Sequence, residues 1–140
     1  MRKQQTKESI LVVDDYDDIR ELMKMQLEHW GYLVFEAADG REAVLVAKRE
    51  HPDLILMDLN LPTLDGFIAT QYIRELDELR NVPIVAVTAH NREYSQKVAI
   101  AAGCDDYLEK PVDFVHLDLV IKRLLSNHQV KRHNHEMPSY

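Results

Sequence analysis

The chain has 140 residues, of which 46% are hydrophobic and 29% charged, proportions that suit one globular domain with a buried core. Its net charge of −7 weighs against non-specific nucleic-acid binding, and its one cysteine, Cys104, leaves no intramolecular disulfide and no thiolate metal cluster, which points to a reducing, cytoplasmic setting. No apolar run approaches the ~20 residues that span a bilayer, the amino terminus has no signal-peptide core, and there is no solenoid repeat.

Residues 1–8 are a polar lead. Residues 9–15 read as a buried strand ending in two acids, Asp14 and Asp15. Ile19, Leu22, Met23, Leu27 and Trp30 then recur at helical spacing, with Gly31 as the stop. A short strand at 32–36 follows, and Asp39 caps a second helix to about Glu50, with Ala43, Val44, Val46 and Ala47 on its inner stripe and Pro52 behind it. Leu54 to Met57 is an uninterrupted apolar run, as expected of a strand buried on both faces, and Asp58 stands where it ends. Pro62 and Asp65-Gly66 mark a turn. A third helix is expected from about Gly66 to Leu79, a strand at Ile84–Val87, a fourth helix at about 91–102 stopped by Gly103, a strand at Asp106–Glu109, a bend at Lys110-Pro111 and a last helix from Phe114 to Leu125. The final residues, 127–140, have little to bury and read as a flexible polar tail, too short for an output domain. His128, His133 and His135 offer metal ligands there, although a polar tail explains them more simply.

This alternation predicts an α/β fold: a doubly wound, flavodoxin-like sheet of five parallel strands in the order 2-1-3-4-5, flanked by five helices. Ligands of such sheets bind outside the carboxyl ends of the strands, at the switch point between strands 1 and 3. Asp14, Asp15 and Asp58 stand at those ends. Alone, Asp58 reads equally as a capping carboxylate, and Asp14 and Asp15 as helix caps. Three acids held together repel one another unless a cation intervenes, and oxygen ligands without histidine or cysteine select Mg²⁺. The Asn60 backbone carbonyl would complete that half-octahedron. Thr88 ends the fourth strand and Lys110 follows the fifth, placing a hydroxyl and an ammonium at consecutive strand ends.

The combination resembles the receiver domain of two-component response regulators, including the single-domain chemotaxis type. The matching pieces are Ile10-Leu-Val-Val-Asp14-Asp15, Met57-Asp58-Leu-Asn60-Leu-Pro62 with Asp65-Gly66, Val87-Thr88-Ala89, and Ala102-Gly103 through Asp106-Tyr107 to Lys110-Pro111. Thr88, Tyr107 and Lys110 follow Asp58 at the family's spacing, and the resemblance covers a receiver domain at 9–126.

The resemblance implies that Asp58 accepts a phosphoryl group from the phosphohistidine of a histidine kinase or histidine phosphotransfer protein. It implies that Asp14, Asp15, Asp58 and the Asn60 carbonyl hold Mg²⁺, that Lys110 pairs with Asp58, and that Thr88 hydrogen-bonds the phosphoryl group. Tyr107 is then a switch that remodels the surface of helix 4, strand 5 and helix 5 for a downstream protein target, and the Lys110-Pro111 peptide is cis. A monomer or a weak, phosphorylation-dependent dimer is expected, because Val112 stands where helix 4–helix 5 dimers of the family have phenylalanine. The family further implies slow autodephosphorylation instead of multiple turnover, while the net charge and the lack of a long apolar run lead to the expectation of no direct nucleic-acid contact and no membrane insertion. Tyr16 rims the pocket or packs on its loop, and His90 lies where the family tunes phosphoryl lifetime.

Two alternatives stand beside this. A Mg²⁺-dependent phosphatase with an aspartyl nucleophile would want an acid where the chain has Asn60, and a substrate cap for which there is no room. A receiver fragment of a larger hybrid kinase or regulator is the other, although Met1 and the polar tail suggest a stand-alone protein.

Overall fold

The computed structural model describes residues 6–60, 65–89 and 92–136. Five strands alternate with five α-helices: β1 (Ser9–Val13), α1 (Asp17–His29), β2 (Leu33–Ala37), α2 (Gly40–Glu50), β3 (Leu54–Asp58), α3 (Gly66–Glu75), β4 (Ile84–Thr88), α4 (Arg92–Ala102), β5 (Asp106–Glu109) and α5 (Phe114–Glu136). The strands form a parallel sheet in the order β2-β1-β3-β4-β5, as the alternation predicts. The described residues contain no helix long and apolar enough to cross a membrane.

Helices cover both faces of the sheet, which is why β1, β3 and β4 are buried throughout and read as unbroken apolar runs. Alternate side chains serve two cores. Leu11, Val13, Ile55, Met57, Ile84 and Ala86 pack with Ala43 and Ala47 of α2, Ala69 and Ile73 of α3, and Ala99 of α4. Ile10, Val12, Leu54, Leu56, Val85 and Val87 pack with Met23 and Leu27 of α1 and with Leu117 and Ile121 of α5. Trp30, just past α1, meets Phe114 at the start of α5 edge-to-face, with ring centroids 6.3 Å apart, and this locks the two helices of that face together.

Several element ends follow local chemistry. Asp39 caps α2 by accepting from the Glu42 amide, and Asp65 caps α3 by accepting from the Ile68 amide. Gly31 supplies the left-handed turn after α1 (φ 98°).

Two helix boundaries differ from expectation. The third helix stops at Glu75, Leu76 is extended, and a 3₁₀ turn (Asp77–Leu79) carries Leu79 into the core beside Val82. Arg74 holds that turn by donating to the carbonyls of Arg80, Val82 and Gly103 and to the Asp105 carboxylate. The last helix continues past Leu125 to Glu136, through part of the expected tail, because residues 126–136 hold no glycine or proline and extending a formed helix costs little. On α1 only Met23 and Leu27 are buried; Leu22 is exposed, and Ile19, though partly exposed, lines a small cavity with Met23 and Leu56.

Candidate functional site

Register brings the strand ends level. Val13 pairs with Met57, Asp58 with Val87, and Thr88 with Glu109, so Asp14, Asp58, Thr88 and Lys110 emerge along one rim of the sheet. The two-residue alternation then sorts them. Asp14 continues the Ile10–Val12 row, Asp58 the Leu54–Leu56 row and Lys110 the Leu108 row, all on the side of α1 and α5. Thr88 continues the Ala86 row on the opposite side, where Tyr107 also packs.

Lys110 is the hub. Its ammonium donates to Asp58 Oδ2 at 3.0 Å and lies 3.1 Å from Asp14 Oδ2. Its amide donates to the Thr88 carbonyl at 2.9 Å, tying it to the end of β4, and the Lys110–Pro111 peptide is cis. Asp58 is 2% exposed and its Oδ1 accepts from the Asn60 amide at 2.8 Å. Asp14 is nearly as buried, and its Oδ1 accepts from the Tyr16 amide at 2.9 Å. The Tyr16 ring lies across the rim, with its centroid 5.9 Å from the Lys110 ammonium.

Burial pushes the Asp58 carboxyl above the usual carboxylate range, against the opposing pull of the Asn60 amide and Lys110 and with a further push from Asp14. Burial alone would lower Lys110, but Asp58 and Asp14 together outweigh it and hold the ammonium charged. Asp58 therefore rises because burial outweighs its partners, and Lys110 because its two anions outweigh burial.

Three carboxylates against one ammonium leave the pocket negative. Asp14, Asp15 and Asp58 each offer an oxygen within 4.8 Å of the others, and Asp15 Oδ1 is buried with no hydrogen-bond partner. A buried, unpartnered carboxylate oxygen is costly unless a cation meets it. All-oxygen donors, the excess of negative charge and this orphaned atom fit a hard divalent cation such as Mg²⁺.

The other predicted residues fall as follows. Thr88 is fully buried at the end of β4, and Tyr107 is half-buried in the core on the α2, α3 and α4 side. Val112 packs against the α1 and α5 core. Pro62, His90 and the side chains of His133 and His135 lie outside the described residues. His128 lines a cavity with Arg123, Asn81 and Asp105 beside the entry to β4, away from the acidic pocket.

Two residues shape the pocket in ways the sequence did not disclose: Gly66, which reads there only as a turn and helix start, and Arg20, which does not stand out. A Cβ on Gly66 would lie 2.0 Å from the Asp58 carbonyl oxygen, so this glycine allows α3 to start hard against the end of β3. Arg20 donates to the Asp14 carbonyl at 2.7 Å. Its only signal in the sequence is a single cation just after the acidic run Asp14–Asp18.

Comparison with known proteins gives consistent results. Residues 10–122 match the family described as response regulator receiver domain. The chain is 37% identical over 133 residues to a probable transcriptional regulator ycf27 of Porphyridium aerugineum, covering 95% of this chain and 54% of that protein. It thus spans about half the length of that relative. It is 33% identical to the polar-differentiation response regulator DivK of Brucella ovis, covering 85% of this chain and 97% of DivK. Among solved structures, the receiver domain of sensor histidine kinase PA1611 from Pseudomonas aeruginosa, with magnesium coordinated in its active site cleft, superposes with a TM-score of 0.81 at 37% identity, over 86% of this chain and 99% of that one.

Proposed function

The chain belongs to the response regulator receiver domain family, and from that premise we propose that Asp58 is its phosphoryl acceptor. One Asp58 carboxylate oxygen attacks the phosphorus of a phosphohistidine on a histidine kinase or phosphotransfer protein. The P–O bond forms as the P–N bond breaks, and the imidazole leaves with the bonding pair. Such transfers pass through a loose, metaphosphate-like state, so alignment and charge neutralisation supply most of the rate. The observation that carries this reading is the Lys110 ammonium bridging Asp58 and Asp14 beside the orphaned oxygen of Asp15.

Asp14, Asp15, Asp58 and the Asn60 carbonyl would hold Mg²⁺. When bound, the ion supplies positive charge for the phosphoryl oxygens. Lys110 stays charged under its two carboxylates and moves its hydrogen bond from Asp58 to a phosphoryl oxygen. The Thr88 hydroxyl donates to another. Thr88 and Tyr107 share one side of neighbouring strands, which supports the reading that a shift of Thr88 opens space for the Tyr107 ring. That rearrangement would alter the α4–β5–α5 surface and its affinity for a downstream protein, as a shift between existing states. Each chain would take up one phosphoryl group and lose it slowly to water, without multiple turnover.

Incubating the chain with Mg²⁺ and a small phosphodonor such as acetyl phosphate, followed by intact mass, tests the reading. A single phosphoryl adduct is expected in the wild type and none in Asp58→Asn. No adduct, or one that survives Asp58→Asn, contradicts it.

A further inference from the structure

We propose that Arg20 is a positioning residue that fixes the Asp14 end of the acidic pocket and thereby sets its affinity for a divalent cation; the inference rests on the reading of that pocket given above. Arg20 lies on α1, and its guanidinium joins three pieces of chain. Nη1 donates to the Asp14 backbone carbonyl at 2.7 Å, Nε to Glu36 on β2 at 3.3 Å, and Nη2 to Asp17 at 2.7 Å. The Arg20 side chain is 16% exposed, so it is a wedge under the acidic turn and not a solvated surface charge.

Asp14 is otherwise held on every polar group. Its amide donates to the Ala37 carbonyl at 3.1 Å, Oδ1 accepts from the Tyr16 amide, and Oδ2 faces Lys110. The backbone carbonyl is the remaining group, and Arg20 fills it with a charge-assisted bond. A fork donor clamped to β2 by Glu36 therefore sets the height at which Asp14 and the adjoining Asp15 leave the sheet. Lys24 lies 3.3 Å from the other Glu36 oxygen and belongs to the same network, but it does not touch Asp14.

Two effects of Arg20 on a bound cation have opposite sign. Its positive charge alone would repel Mg²⁺, so removing it would tighten binding. Its grip on Asp14 organises the ligands, so removing it would loosen binding. Asp17 and Glu36 already offset the charge, whereas among the described residues Arg20 is the side chain that holds the Asp14 carbonyl, so the positional effect dominates. Partners that orient metal ligands typically set affinity by roughly 10–100-fold.

The test is a calorimetric Mg²⁺ titration of the full chain, with amide hydrogen exchange of residues 14–16 in the metal-free protein. Arg20→Met is expected to weaken Mg²⁺ about tenfold and to speed exchange in the turn. Arg20→Lys, which keeps the charge but loses the fork, is expected to recover only part of the affinity. Lys24→Met, which cuts the other arm of Glu36, is expected to leave both readouts at wild-type values. If Arg20→Met fails to fold, Glu36→Gln replaces it, with weaker Mg²⁺ binding again expected and unchanged affinity overturning the proposal. Undiminished or tighter binding by a folded Arg20→Met, or an equal loss in Lys24→Met, overturns the positioning role alone. A wild type that binds no Mg²⁺ overturns the reading of the pocket and this inference with it.

Discussion

Asp58 is the residue at which the needs of the fold and of the site oppose each other. A carboxylate 2% exposed costs stability, and one hydrogen bond from Lys110 with one from the Asn60 amide does not cancel that cost, so its pKa sits above the ordinary carboxylate value. A raised acid pKa contributes stability that is full below the unfolded carboxylate pKa and is lost as pH rises through the folded value. In metal-free buffer near neutral pH the ionised form therefore weakens the native state. Asp58→Asn is expected to melt above the wild type there, with Lys110 retaining Asp14 at 3.1 Å. The gap should narrow as the pH falls through the carboxylate range. Thermal melts against pH check this, and an Asp58→Asn protein that melts lower than wild type at neutral pH would contradict it. The acids, Thr88 and Lys110 were legible in the sequence as a set, because they fall at consecutive strand ends, although a strand-end threonine or a lysine before a proline is unremarkable alone. Arg20 was not, because its partners Asp14 and Glu36 meet only after β1 and β2 pair.

At the scale of elements, the junction between β3 and α3 carries the tightest constraint. The Asp65-Gly66 pair reads in sequence as turn chemistry, and Asp65 does cap α3. Gly66 has a different reason to be glycine, since its neighbour is the backbone of Asp58 and Leu59 and not the far end of a flexible side chain. Gly66→Ala must push α3 away or shift Asp58. Overpacking of this kind costs about 1–3 kcal/mol. Denaturant unfolding should show that loss, together with slower phosphoryl uptake, and unchanged values in both would refute the close approach. The early stop of α3 was likewise illegible, because no glycine or proline marks it and Arg74 reaches its carbonyl partners only in the folded chain. Helical spacing gave α1 but not how much of its apolar stripe is covered: Met23 and Leu27 are buried, while Ile19 is partly exposed and Leu22 exposed.

For the molecule as a whole, alternation and chirality reduced the strand orders to a few right-handed solutions, and the common doubly wound order among them, 2-1-3-4-5, is the one found. The extent of the last helix did not follow from the sequence, because polar residues satisfy both a helix and a tail. Leu125 is the last described buried residue of α5. A chain ending at Ser126 keeps every described buried residue of the core and is accordingly expected to unfold within about 1 kcal/mol of the full chain, the scale of a typical single-site change. A larger loss in denaturant titration would show that residues 127–136 belong to the domain.

All of these scales serve one claim, that the sheet holds Asp58 ready to accept a phosphoryl group. The most direct measurement reduces the acyl phosphate in place. The chain is treated with Mg²⁺ and acetyl phosphate, then with borohydride, and digested for peptide mass analysis. Borohydride converts an aspartyl phosphate to homoserine and leaves ordinary aspartate unchanged. Homoserine at position 58 alone, absent when phosphodonor is omitted, is the predicted result. Homoserine at Asp14, Asp15 or another position, or a phosphorylated chain without homoserine at 58, would contradict the account.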